Sequence, residues 1–396
     1  MAVLNVSTPA RVGAALCAAE VLDLLGFATF QALVPFLARE WALSNAEAGW
    51  VSGIYLAGYV AAVPVLVALT DRVDARTVFA ASSALGGIAA LGFAIFADGF
   101  VSALAWRALA GVALAGCYMP GVKALSDRTS GRYQSRYVSF YTASFGLGVA
   151  FSFLFAGWIA DALSWRWAFG INALGAAAAV AVVLGFVAPV RPVPPAIPTP
   201  LLDFRTVLRN RRVLGFILAY FGHSWELFAF RAWVVAFLAQ AGYGTATLLA
   251  SLATLLGVPA SILGNELSVR IGRLRAIAII AALSVALSLV VGFGAAWPPW
   301  ILVTALLVYC IVVTGDSAAL TAGTVEASES GRGGATLAAH AFLGFGGGAL
   351  GPPAVGLVLD AVGGYGIGFM TMGAGSALTL GAVGLAARAG ARRRTP

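Results

Sequence analysis

The stretch Leu66-Val-Ala-Leu-Thr-Asp-Arg-Val-Asp-Ala-Arg-Thr77 decides the fold, because it is a short charged segment between two long apolar runs. The flanking runs, 47–69 and 78–97, are each long enough to cross a bilayer as a helix. A charged segment of this length cannot lie in hydrocarbon, but it can join two helices at a membrane face. Gly264-Asn-Glu-Leu-Ser-Val-Arg-Ile-Gly-Arg-Leu-Arg275 has the same character in the second half of the chain. We call these segments the first and second hinge.

The composition is that of a membrane protein. Hydrophobic residues make up 61% of the chain and charged residues only 10%, whereas soluble domains average about a quarter charged residues. Such a chain cannot build a water-facing surface, and we identify twelve apolar runs of spanning length along it. The sequence therefore predicts an all-α integral membrane protein with twelve transmembrane helices.

The two halves of the chain repeat each other. Phe36-Leu-Ala38 ends the first span and recurs as Phe237-Leu-Ala239 at the end of the seventh. Between the halves, residues 189–212 are rich first in proline and then in arginine, and the prolines hold the segment extended. We therefore expect three parts, namely an N-terminal six-helix bundle at 1–188, a cytoplasmic linker at 189–212 and a C-terminal six-helix bundle at 213–396.

The first hinge resembles the loop between helices two and three of the major facilitator superfamily, whose pattern is roughly Gly-x-Leu-x-Asp-Arg-x-Gly-Arg-Arg. The residues that match are Leu69, Asp71, Arg72 and Arg76. Asp74 stands where the pattern has its second glycine. The second hinge keeps Arg270, Gly272 and Arg273, with Val269 in place of the aspartate. The resemblance implies two pseudo-symmetric six-helix bundles and a cytoplasmic gate formed by Asp71, Arg72, Arg76, Arg270 and Arg273.

Two acids in the first span are candidates for proton coupling. Glu20 and Asp23 are three residues apart and share one helix face. Neighbouring carboxylates in a low dielectric resist ionising together, so one of them is expected to carry a proton. The alternative is that each acid pairs with an arginine on a neighbouring helix.

Arg107 in the fourth span, followed by Gly111, resembles the family's Arg-x-x-x-Gly pattern, whose arginine is associated with proton transfer. A charge inside a span needs a partner. We expect Asp23 as that partner, with Glu20 as the second choice.

The seventh span contains a dense polar cluster. His223 and Glu226 share one face and form a plausible proton relay, although a hydrogen-bonded packing histidine is an equal alternative. Arg231 either attracts anionic groups or extends outward to the interface. Trp225 is expected to pack rather than to stack on substrate.

Further polar residues in other spans are candidates for contact with substrate. Asp316 in the tenth span and His340 in the eleventh lack a partner on their own helix face. Tyrosines either line a cavity or simply pack. The candidate substrate-binding residues are Tyr55, Tyr59, Tyr118, Tyr141, Trp225, Arg231 and Asp316.

The charge distribution predicts topology rather than a nucleic-acid partner. The net charge is +8, but with a cytoplasmic N-terminus nearly all loop arginines fall on the inner side, while Arg39 and Arg166 fall outside. We expect a multi-pass protein of the cytoplasmic (inner) membrane with both termini cytoplasmic. The sequence shows no metal spacing and no phosphate-binding motif, so we expect no metal, no cofactor and no enzymatic activity.

We therefore predict a monomeric secondary transporter, similar to drug/proton antiporters, that moves a small organic molecule outward in exchange for protons. Antiporter-type relatives carry a Gly-Pro pair in the fifth span, whereas this chain carries it in the eleventh, at 351–352. Proton-coupled uptake and an organic-anion carrier that uses Arg107 and Arg231 stay open as alternatives. A membrane scaffold or sensor that does not transport is the third.

Overall fold

A computed structural model of the chain describes residues 8–130, 134–192, 205–329 and 333–392. All regular elements in these ranges are helices, as predicted. Their bounds are α1 Pro9–Leu24, α2 Thr29–Glu40, α3 Asn45–Leu69, α4 Ala75–Phe96, α5 Phe100–Ser126, α6 Gln134–Ala162, α7 Trp165–Phe186, α8 Arg205–Arg209, α9 Arg211–Gln240, α10 Ala246–Ile271, α11 Arg273–Phe293, α12 Pro299–Gly315, α13 Ser317–Ala327, α14 Gly333–Val362 and α15 Tyr365–Arg392.

Twelve stretches of these described residues are long and apolar enough to cross a membrane, which confirms the predicted number of spans. Two of the stretches contain more than one helix. Pro9–Glu40 comprises α1 and α2, and Pro299–Ala327 comprises α12 and α13. The first and tenth spans, each taken from the sequence as one continuous run, are therefore interrupted.

The interruption in the first span covers residues 25–28 and has a partner on α6. Ser152 Oγ donates to the carbonyl oxygen of Leu25 at 2.6 Å and accepts from the amide of Ala28 at 2.9 Å. Thr29 Oγ1 also donates to the Leu25 carbonyl, at 3.2 Å. Backbone groups freed inside a membrane must find partners within the protein, and these contacts stabilise the break.

The residues divide into two compact units. One lies within Met1–Leu33 and Ala57–Leu201, and the other within Val34–Leu56 and Leu202–Pro396. In the first unit α1, α4, α5, α6 and α7 share a core. Each of these helices contributes a buried residue to it, in that order Leu16, Phe79, Cys117, Tyr141 and Val183. In the second unit α9, α11, α13, α14 and α15 do the same, through Ile217, Ile277, Leu320, Ala339 and Val383.

The glycine-rich run of α14 allows that helix to approach α9 closely. A Cβ on Gly347 would collide with the carbonyl of Phe221, and one on Gly351 would collide with the carbonyl of Trp225. Small residues at such spacing let membrane helices pack backbone to backbone. These glycines therefore act as packing residues, and the contact positions α9, which carries His223, Glu226 and Arg231.

Candidate functional site

The two acids of the first span are bound by hydroxyl groups on two other helices. Ser144 Oγ of α6 donates a short hydrogen bond to Glu20, which is only 2% exposed. Ser83 Oγ of α4 donates to Asp23 Oδ2 at 2.6 Å. Although the two acids share a helix face, their hydroxyl partners therefore lie on different helices.

Arg107 contacts the interruption of the first span instead of the expected acid. Its guanidinium donates to the carbonyl oxygens of Gly26 and Phe27, at 3.2 and 3.0 Å, and to the side-chain oxygen of Gln31 at 3.3 Å. Asp23, the expected partner of Arg107, is not among these contacts. The reason is the break in the helix, because it exposes carbonyl oxygens that an arginine can bind.

Glu226 in α9 is fully buried and is surrounded by three hydroxyl groups. Ser284 and Tyr309 donate to Oε1 at 2.9 and 2.8 Å, and Ser376 donates a short hydrogen bond to Oε2. The donors come from α11, α12 and α15. A buried carboxyl group thus joins four helices of one unit through hydroxyl partners alone among the described residues.

His223 pairs with Asp316 rather than with Glu226. Its Nδ1 lies 2.7 Å from Asp316 Oδ1, and both side chains are almost completely buried. Asp316 is the residue at which the tenth span is interrupted, between α12 and α13. The predicted His223–Glu226 relay is therefore wrong in its partner, because the histidine side chain reaches across to another helix. It forms instead a buried acid–base pair between two spans.

His340 extends this cluster through an aromatic contact. The ring of Tyr220 stacks on that of His340, with centroids 4.0 Å apart, and lies 5.5 Å from that of His223. Thr324 Oγ1 lies 2.9 Å from His340 Nδ1, and Thr321 Oγ1 lies 3.3 Å from Nε2. Both ring nitrogens of His340 therefore have hydroxyl partners.

Arg231 is buried and does not extend to the interface. Its side chain is 8% exposed, and its guanidinium carbon lies 5.4 Å from the centroid of the Phe228 ring. The structure shows neither a hydrogen bond nor an ion pair between this arginine and any described residue. Trp225, also in α9, donates its Nε1–H to the carbonyl of Thr371 at 2.9 Å, as a packing residue would.

The tyrosines named as substrate contacts lie mainly in packed positions. Tyr141 is completely buried and donates to the carbonyl of Cys117 at 3.2 Å. Tyr118 stacks on Tyr141 with centroids 6.2 Å apart. Tyr55 and Tyr59 are also buried.

The first hinge is organised around Asp74 rather than Asp71. Asp74 caps the N-terminus of α4 by accepting from the amide of Arg76 at 3.0 Å. It also accepts from Arg128 Nη2 at 2.8 Å and from the amide of Val190 at 2.7 Å. Burial by itself raises the pKa of Asp74, but the hydrogen bonds from Arg128, Val190 and Arg76 outweigh it and hold that pKa below its usual value.

Asp71 is half-buried and makes no side-chain hydrogen bond or ion pair with any described residue. The arginines around the hinge bind the end of α7 and the start of the linker. Arg76 Nη2 donates to the carbonyl of Leu184 at 2.6 Å, and Arg128 Nε donates to that of Ala188 at 2.7 Å. Such contacts satisfy carbonyls that lack partners at a helix end.

The second hinge has a different local structure. Gly272, which corresponds in the repeat to Asp74, has a φ of +95° and joins α10 directly to α11. Arg273 Nε donates to Glu326 at 3.0 Å, and its Nη1 donates to Asn265 at 3.0 Å. Arg72 and Arg270, also named as gate residues, are exposed.

The sequence interpretation missed most partners of the candidate acids. Those partners are Ser83, Ser144, Ser284, Tyr309 and Ser376. The available signal was weak, since it consists of single hydroxyl residues within apolar runs. The described residues contain no group of three or more His, Cys, Asp or Glu side chains that could hold a metal ion.

A family model described as the Major Facilitator Superfamily matches residues 16–352 of the chain. The niacin transporter NiaP of Acinetobacter baylyi is 27% identical over 156 residues, which is 39% of this chain and 35% of that protein. The probable sphingolipid transporter spinster homolog 1 of Arabidopsis thaliana is 28% identical over 147 residues, which is 37% of this chain and 29% of that protein. The multidrug transporter MdtP of Bacillus subtilis is 28% identical over 131 residues, which is 31% of this chain and 23% of that protein. The matches thus span about a third or less of these relatives' length.

Solved structures of transporters share the fold. A bacterial homolog of the human lysosomal transporter spinster, in an inward-facing and occupied conformation, superposes with a TM-score of 0.79 at 14% identity over 96% of this chain and 97% of that one. The nucleoside transporter NupG superposes with a TM-score of 0.71 at 17% identity over 96% and 99%. At these identities the likeness is one of fold.

Proposed function

Because the chain belongs to the Major Facilitator Superfamily of membrane transporters, we propose that it moves a small organic molecule outward in exchange for protons. The substrate site would be exposed alternately to the two sides of the membrane. The relatives are likewise transporters rather than enzymes.

The observation that carries the proposal is the kind of hydrogen-bond partner that three acids within the spans have. Glu20, Asp23 and Glu226 each accept hydrogen bonds from hydroxyl groups on other helices. A hydroxyl group can donate to a carboxylate or accept from a carboxylic acid, because it carries a proton and lone pairs on the same atom. An arginine cannot do this. Each of these acids can therefore gain or lose a proton without leaving a buried partner unsatisfied.

The buried pair of His223 and Asp316 supports the same function. His223 Nδ1 lies 2.7 Å from Asp316 Oδ1, so a base and an acid are in direct contact between two spans. Asp316 lies at the interruption of the tenth span, and broken helices often form the binding sites of transporters. A change of protonation there can be linked to a rearrangement of α12 and α13.

The outward direction rests on the overall resemblance of the sequence to drug/proton antiporters, although the Gly-Pro pair that those relatives carry in the fifth span lies in the eleventh span of this chain. A multidrug transporter, MdtP, is among the relatives. We further propose a monomer in the cytoplasmic membrane with both termini on the inner side. The two six-helix bundles, at 1–188 and 213–396, would be connected by a cytoplasmic linker at 189–212. The cytoplasmic gate would be formed by Asp71, Arg72, Arg76, Arg270 and Arg273.

Proteoliposomes that contain a pH-sensitive dye test the proposal. We would add niacin, which is named for one relative, or the organic cation ethidium from outside, with no pH gradient at the start. Exchange predicts that the lumen becomes alkaline as substrate enters and protons leave. Acidification would instead demonstrate uptake together with protons. Substrate entry with no change of pH would contradict proton coupling.

A further inference from the structure

The two arginines within the spans have opposite surroundings. Arg107 has three oxygen acceptors, which are the carbonyls of Gly26 and Phe27 and the side chain of Gln31. Arg231 has none among the described residues, and the ring of Phe228 lies against its guanidinium. Arg107 is therefore accounted for by the structure around it, whereas Arg231 is not.

The membrane depth of Arg231 makes its lack of a partner costly. The residue lies in α9, whose last residue is Gln240, so about 13 Å of helix separates it from the outer end. Its side chain is 8% exposed. A buried charge without a partner is strongly unfavourable, even with the attraction of an aromatic ring. A counter-charge from outside the chain would remove that cost.

The two buried acids of the same unit, Glu226 and Asp316, already have partners. Glu226 is surrounded by the hydroxyls of Ser284, Tyr309 and Ser376. Asp316 is in contact with His223 at 2.7 Å. The unit thus contains a cation in its span region for which the described residues supply no anion.

We propose that Arg231 is the recognition residue for the anionic group of the substrate, and that the substrate is an organic anion with an aromatic or otherwise apolar body. The planar guanidinium can donate two parallel hydrogen bonds to a carboxylate or sulfonate. Phe228, against the guanidinium, and Phe345, with its ring centroid 5.8 Å from that of Phe228, offer an aromatic surface for the body. This inference rests on the proposed transport function and adds the chemical class of the substrate.

Equilibrium binding to the purified full-length chain tests this inference without any gradient. The probes are benzoate, benzenesulfonate, their neutral analogue benzamide and the cation benzyltrimethylammonium, and the readout is the thermal midpoint from tryptophan fluorescence. We expect the two anions to stabilise the wild type and the other two probes to leave it unchanged. Arg231→Gln should weaken benzoate binding by about tenfold or more, since a charge-assisted hydrogen bond is lost. Arg231→Lys should keep part of the affinity for benzoate, because lysine keeps the positive charge but lacks the planar pair of donors of the guanidinium.

Arg39→Gln is the matched control, because Arg39 is an exposed arginine at the end of α2 that donates to the carbonyl of Pro35. It should bind benzoate like the wild type. Equal stabilisation by benzamide, unchanged affinity in Arg231→Gln, or no binding of either anion to the wild type would overturn the inference. If Arg231→Gln does not fold, the inference is tested by two other results. The wild type must bind the anions in preference to benzamide, and Arg231→Lys must bind benzoate more weakly than the wild type.

The outcome is separable from that of the proposed function. Anion binding without proton movement in liposomes would remove proton coupling and leave Arg231 as an anion site. Proton exchange driven by ethidium, without anion binding, would keep the proposed function and refute the substrate class.

Discussion

Asp74 and Asp71 offer a matched comparison, because they are two aspartates of the first hinge with very different surroundings. Asp74 accepts hydrogen bonds from Arg128, Arg76 and Val190, whereas the Asp71 side chain has no hydrogen bond or ion pair with any described residue. We predict that Asp74→Ala destabilises the protein strongly and that Asp71→Ala does not. The comparison tests whether the hinge is held together by the residue that replaces the glycine of the family pattern.

The expected size of the effect follows from the contacts. Removing one member of a buried ion pair costs about 3–5 kcal/mol, and losing an N-cap adds about 1 kcal/mol. Asp74 keeps 12% of its side-chain exposure at the membrane face, so water screens part of the interaction, and Arg128 keeps its carbonyl partners. We therefore expect about 2–4 kcal/mol for Asp74→Ala, against less than about 0.5 kcal/mol for Asp71→Ala.

The dependence on pH gives a second readout. The pKa of Asp74 in the folded protein lies below its usual value, which is about 3.9 for an aspartate in the unfolded chain. The carboxylate therefore stabilises the fold above that pH, and its contribution is lost as pH falls through the folded pKa. The difference in unfolding free energy between wild type and Asp74→Asn should be constant from about pH 7 to 5 and should decrease below about pH 4.

Thermal unfolding in detergent, followed by tryptophan fluorescence at several pH values, measures both effects. The reasoning would be refuted if Asp74→Ala unfolded at the same temperature as Asp71→Ala. A wild-type advantage over Asp74→Asn that grows as the solution becomes acidic would contradict the sign of the pKa shift.

Three further predictions concern gating, topology and the hydroxyl partners. Asp71→Asn should fold normally yet slow substrate flux in liposomes if Asp71 belongs to the gate; a flux equal to that of the wild type would show that Asp71 is not a gate residue. A membrane-impermeant thiol reagent added outside intact cells should label Ser44→Cys but not Ser130→Cys, and equal labelling would overturn the orientation. Tyr309→Phe should lower the unfolding free energy by about 1–2 kcal/mol, because it removes one donor to Glu226; an unchanged unfolding midpoint would show that this hydrogen bond contributes nothing.

The fold could be predicted because membrane spans depend on local properties of the sequence. Runs of apolar residues must be helical in a bilayer, so composition and length alone gave twelve spans. The interruption at residues 25–28 was missed, since Ser152, which stabilises it from α6, is distant in sequence. A local pattern carries no information about such a partner.

The candidate site could be predicted only in part. Depth in a span identified Glu20, Glu226 and His223 as buried polar residues, and all three are buried. Their partners depend on which helices are neighbours, which helix periodicity does not reveal. His223 shares a helix face with Glu226 but contacts Asp316 on another span, because side chains in a bundle reach across helices as easily as along them.

Accumulation of substrate in liposomes, with and without a pH gradient, tests the central claim most directly. We would compare the wild type with Glu20→Gln, Glu226→Gln and His223→Gln, and use Glu40→Gln, at the exposed end of α2, as the matched control. At least one of the three buried-site variants should lose accumulation driven by the gradient while keeping exchange at equal concentrations, because an amide cannot carry the proton. At positions 20 and 226 the amide also keeps hydrogen bonds to the surrounding hydroxyl groups. The control should accumulate substrate like the wild type. Gradient-driven accumulation at the wild-type level in all three variants would contradict proton coupling at these sites.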